Sequence, residues 1–79
     1  MLVPVVNMRL TGQKISSLRV QRGISVRDLQ EMLGIATPQA IYKWQRGETL
    51  PTIENLVALA SILSVPIEEI LQQNAGQTR

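Results

Sequence analysis

The chain has 79 residues, no cysteine, no histidine and a formal net charge of +2. A chain of this size makes one domain and buries only about 60% of its unfolded surface. Without cysteine it uses neither disulfides nor thiolate metal sites, which suits a cytoplasmic protein. No apolar run approaches the roughly 20 residues that span a bilayer, so no membrane partner is expected.

Met1–Val6 is apolar but short and lacks the basic lead of a secretion signal. Val3, Val5 and Val6 have strand-like composition, yet Pro4 interrupts any ladder. Residues 1–9 are therefore expected as an extended arm that covers the helical core or docks on a second copy. A first helix is expected from a Thr11 cap to about Arg22, burying Ile15 and Leu18 and ended by Gly23.

Residues 25–47 are the most informative stretch. Ser25 suits an N-cap with Asp28 three residues on, and Ile24 and Leu29 stand at the staple positions. Leu29, Met32 and Leu33 mark one buried face of a short helix. Gly34 follows where a left-handed residue is wanted. Thr37 can cap the next helix, with Pro38 in its first turn and Gly47 closing it.

At about 100° per residue, Ala40, Ile41 and Trp44 share one side of that helix. Gln39, Tyr42, Lys43 and Arg46 share the other. Trp44 thus reads as core rather than as a base-stacking platform. Gln pairs bidentately with adenine, Lys and Arg with guanine, and Tyr reaches thymine methyls or phosphate.

Charge placement points the same way. From Arg9 to Arg46 there are seven basic residues (Arg9, Lys14, Arg19, Arg22, Arg27, Lys43, Arg46) against Asp28 and Glu31. Beyond Gly47 there are four acids, Glu48, Glu54, Glu68 and Glu69, against Arg79. A basic half of this kind fits a phosphate-facing surface. Arg22 and Arg27 also read as plain solvated charges, and Lys14 as an early-helix phosphate contact.

A fourth helix follows Leu50-Pro51, capped by Thr52, with Ile53, Leu56, Leu59, Ala60 and Leu63 at buried spacing. Ser64 stands at its C′ position, a costlier choice than Gly if the backbone is left-handed. Pro66 opens a last helix with Ile67, Ile70 and Leu71 inward and Glu68 and Glu69 in its first turn. Gln72–Arg79 reads as a fraying tail.

The string LGIATPQAIYKWQRG followed by LPTIENLVALASILSVPIEEIL resembles the lambda-repressor-like helix-turn-helix family, the Cro/CI or XRE type. The resemblance covers roughly residues 10 to 72. It implies an all-α, compact five-helix domain over 10–72, with the arm at 1–9 and the tail at 73–79. It also implies a small transcriptional regulator that binds double-stranded DNA as a homodimer on a palindromic operator, with residues 38–46 in the major groove. Carried over by position, Gln39 and Lys43 read bases, Tyr42 and Arg46 flank them at the base-reading face, and Thr49 lies in a phosphate-contacting loop; Thr37 and Lys14 are expected as further phosphate contacts. No cofactor, metal or small-molecule substrate is implied.

The chain departs from the family pattern at four places. Ala36-Thr37-Pro38 makes the turn one residue longer than usual, and Gln30 stands where a small residue is usual. Together they predict an altered spacing between the second and third helices. Val26 replaces a phosphate-contacting Gln, and Gln45 replaces the Glu that would pair with Arg19. The dimer surface is either the arm or the last helix with Val65 and Ile67.

Catalysis is not expected. The chain lacks histidine, cysteine and a phosphate-cradling glycine loop, and Glu68 and Glu69 point about 100° apart. The competing reading keeps the fold but makes the chain a protein-binding adaptor or an antitoxin.

Overall fold

The computed structural model describes residues 5–74. Within them lie five helices: α1 (Met8–Gln21), α2 (Val26–Leu33), α3 (Gln39–Arg46), α4 (Ile53–Leu63) and α5 (Ile67–Ile70). The fold is all-α, and among the described residues the only sheet-like pairing is one antiparallel bridge between Val6 and Gln73.

Each helix sends side chains into a single core. Ile15 and Leu18 come from α1, Leu29 from α2, Ile41 and Trp44 from α3, Leu56, Leu59 and Leu63 from α4, and Ile70 from α5. Burial of each such side chain contributes about 1.5–3 kcal/mol before chain entropy is subtracted. α1 packs against α3 and α5, while α4 packs against α2 and α5. Trp44 is buried, in line with its place on the inner face.

The local signals at α2 and α4 appear as expected. Ser25 Oγ accepts the Asp28 N–H at 3.0 Å, and Thr52 Oγ1 accepts the Asn55 N–H at 3.2 Å. Gly34 ends α2 in the left-handed region with φ 71°. Ser64 ends α4 there too, at φ 58°, the one non-glycine with positive φ among the described residues.

Four expectations need correction. α1 is capped by Asn7, not Thr11: Asn7 Oδ1 accepts the Leu10 N–H at 2.9 Å. The helix thus begins at Met8, inside the stretch expected as arm. An Asn with extended backbone caps as well as Thr does, and the earlier start carries Thr11 into the interior, where it is 1% exposed. Thr37 does not cap α3, because Pro38 takes the N-cap position with no side-chain cap bond and Thr37 stays exposed.

Met32 and Ile53 fit the apolar spacing yet are 57% and 75% exposed. Each lies at the edge of its helix's apolar stripe, and other residues fill the core first. Ala60 and Leu71 are half-buried against that core, and Ile67 is half-buried without joining it.

The fourth correction concerns the ends. Gln72–Asn74 is not frayed but is held against the arm. Asn7 N–H donates to Gln72 O at 2.7 Å and Asn74 N–H to Val5 O at 3.0 Å. Asn7 Nδ2 donates to Asn74 Oδ1 at 2.7 Å, and the Gln72 N–H donates to the buried Thr11 hydroxyl at 3.0 Å. Val5 and Val6 are exposed, so this part of the arm clasps the C-terminal segment rather than covering the core. The expectations for residues 1–4 and 75–79 lie outside the described residues.

Candidate nucleic-acid interface

α3 is held from beneath and presented outward. Ile41 and Trp44 bury its inner face, while Gln39, Tyr42, Lys43 and Arg46 are all exposed. α1 crosses beneath the C-terminal end of α3 at very short range. A Cβ placed on Gly12 would lie 1.9 Å from the Trp44 carbonyl oxygen, so only glycine permits the crossing. One placed on Gly47 would lie 2.8 Å from the Arg9 Cα, so the end of α3 and the first turn of α1 also touch.

Arg19 fastens the same junction. Its Nε donates to Gln45 Oε1 at 3.1 Å and its NH1 to the Ile24 carbonyl at 2.8 Å. The bond to Gln45 is a charge-to-neutral contact at the place where the family pattern has a charged pair.

The turn into α3 has its own brace. Gln30 is not a mere spacer: its Nε2 donates to Ala36 O at 3.1 Å and, more weakly, to Ile35 O at 3.4 Å. A small residue at this position could not reach those carbonyls.

The seven basic residues do not form one open field. Lys14 lies 3.8 Å from Glu69 Oε2, on the α5 side rather than with the α3 group. Arg22 donates to the Leu63 carbonyl, and Arg19 is engaged as described. Arg46 Nε sits 2.5 Å from Glu48 Oε2. That hydrogen bond holds the Glu48 carboxyl below its ordinary value and raises the Arg46 guanidinium above its own. Arg9, Arg27 and Lys43 make no side-chain hydrogen bond or ion pair among the described residues.

Arg27, read from sequence as a solvated charge, is indeed exposed and without a side-chain partner among the described residues. It lines a cleft of about 320 Å³ between α2 and α3 together with Val26, Gln30, Pro38 and Tyr42. It is the second residue of α2, and only the fold brings it to the same cleft as Tyr42. Thr37 and Thr49 are exposed on the turns before and after α3. No group of metal-ligating side chains occurs among the described residues, and no helix among them is long and apolar enough to cross a membrane.

Residues 15–70 match the family described as Helix-turn-helix. The chain is 35% identical over 72 residues, 91% of its length, to Repressor protein C2 of Salmonella phage P22, and spans 33% of that protein. The crystal structure of the P22 c2 repressor in complex with a synthetic operator superposes with a TM-score of 0.73 at 34% identity, covering 78% of this chain and 92% of that one. The structure of SinR, described as the master regulator for biofilm formation, in complex with DNA gives a TM-score of 0.70 at 28% identity, over 78% and 98% of the two chains.

Proposed function

The chain belongs to the helix-turn-helix family, and on that premise we propose that it binds double-stranded DNA in a sequence-specific way, as a cytoplasmic transcriptional regulator. The observation that carries the proposal is α3 itself, whose inner face is locked by Ile41 and Trp44 while Gln39 and Lys43 stand exposed one turn apart. A helix so presented fits the major groove, with Gln39 and Lys43 reading base edges and Tyr42 meeting a thymine methyl or a phosphate. The P22 c2 repressor bound to a synthetic operator and SinR bound to DNA are relatives of this fold that support the reading.

Thr37 and Thr49 flank α3 and hold phosphates, aided by Arg27. Arg46 joins them by exchanging Glu48, and Lys14 serves only by leaving Glu69. A homodimer on a palindromic operator multiplies the selectivity of a helix that alone reads only a few base pairs.

Selection of bound duplexes from a random DNA pool tests the proposal. Wild-type protein is expected to enrich a palindrome, and Gln39→Ala or Lys43→Ala to weaken the enriched site by about 10- to 100-fold and relax its preference. A folded protein that enriches nothing at moderate salt would overturn the proposal and favour a protein-binding role.

A further inference from the structure

Base reading requires Gln39 and Lys43 to be held within roughly 0.5 Å and 10–20° of a productive pose. The body of α3 is fixed by Ile41 and Trp44, but its entry is not capped by any side chain. Pro38 supplies no N–H, and the first bond of the helix runs from Tyr42 N–H to Pro38 O at 3.2 Å. Ala36 and Thr37, in the turn before it, are exposed. Something else must hold that entry.

Gln30 brackets the turn from both sides. Its main-chain carbonyl accepts the Gly34 N–H at 3.0 Å and the Ile35 N–H at 3.3 Å. Its side-chain amide donates to the carbonyls of Ile35 and Ala36. One residue of α2 therefore grips Ile35 by both its N–H and its C=O, and reaches one residue further. The same side chain lines the cleft that Pro38 and Tyr42 line from the α3 side.

We propose that Gln30 is a positioning residue for DNA recognition: its side-chain amide sets the pose of α3 on the turn, and through it the base preference of Gln39 and Lys43. The proposal rests on the DNA-reading function above. The Ala36 carbonyl lies in an exposed part of the turn, so water can replace the amide when it is removed. Loss of the brace therefore loosens the entry of α3 without unfolding the domain. Specificity and stability separate.

The test variant is Gln30→Met, which keeps length and neutrality but has no donor. It is expected to melt close to wild type and to bind random-sequence duplex with affinity within about twofold, since phosphate contacts dominate that binding. Its discrimination between the selected site and single-base variants is expected to fall by about tenfold or more.

An arm without DNA is amide hydrogen exchange of the free protein, expected to accelerate at Ile35 and Tyr42 while the amides of α4 stay unchanged. An unaltered motif with unaltered discrimination overturns the proposal. So does a loss of affinity for all duplexes in step with a fall in melting temperature, which marks a merely structural role. If wild type itself enriches no motif, the DNA-reading function has failed, and exchange alone decides the brace. Local acceleration then upholds it and unchanged rates overturn it.

Discussion

Gly12 shows how much one missing methyl group can decide. Nothing in its own helix demands glycine, and the spacing of apolar residues around it gives no hint that it matters. The demand comes from α3, whose Trp44 carbonyl occupies the space a Cβ would need. Gly12→Ala forces two backbones apart and is expected to cost about 3 kcal/mol, read as a lowered urea midpoint with unchanged slope. Wild-type stability in that variant would mean that α1 and α3 are further apart than described.

Glu48 poses the opposite question, a contact that competes with function. Its carboxyl is held below its ordinary value by the hydrogen bond from Arg46, so the pair is intact at neutral pH and is lost only as pH falls through the depressed value, below the ordinary carboxylate range. Arg46 moves upward, outside any working range. The pair therefore stands at neutral pH, and Arg46 meets DNA only by giving up Glu48. Glu48→Gln frees the guanidinium and removes a negative charge, and is expected to raise affinity for duplex DNA about three- to tenfold at low salt. An equal gain in the Arg46→Ala background would show that the charge alone acts.

At the scale of elements, caps and turns were legible because their chemistry is local. Ser25, Thr52, Gly34 and Ser64 each act within four residues of themselves, and each sits where the sequence places it. Thr11 misled because a capping residue and a buried hydroxyl look alike until the distant partner is known. That partner, the Gln72 N–H, is 61 residues away. Met32 and Ile53 misled because periodicity marks a stripe but not which of its edges meets another helix. Thr11→Val keeps the shape and leaves the Gln72 N–H without its acceptor, with an expected loss of about 1–2 kcal/mol in thermal or urea unfolding. A neutral result would assign the clasp's strength to Asn7 instead.

For the whole molecule, the count of basic residues overstated the charge open to DNA. The sequence shows a basic half and an acidic half, but only folding brings Lys14 to Glu69 and Arg22 to the Leu63 carbonyl, while Arg46 meets Glu48 two residues on. What stays open is a smaller set, Arg9, Arg27 and Lys43, spread over three helices. With Lys43 on base edges, Arg9 and Arg27 contacting phosphate in both halves of a dimer would release about four counterions and give a slope of log K against log salt of about −4. Arg27→Ala is expected to make that slope shallower by about one unit per subunit while sparing base preference. A slope unaffected by that change would remove Arg27 from the interface. The outer face of α3 was legible because helical geometry alone sorts it from the core. The partners of Lys14 and Arg22 were not, since each is a contact between separate elements.

The clasp between Val5–Asn7 and Gln72–Asn74 has a topological consequence. Two segments at opposite ends of the described chain are hydrogen-bonded neighbours, so the path of the backbone is nearly a closed loop. A short linker joining them could complete the ring without displacing a helix, and the chain could be reopened at the exposed stretch 48–50 after α3. The order in which α1 to α5 are threaded is then a convenience of translation. The arrangement of helices around the core is what the fold requires.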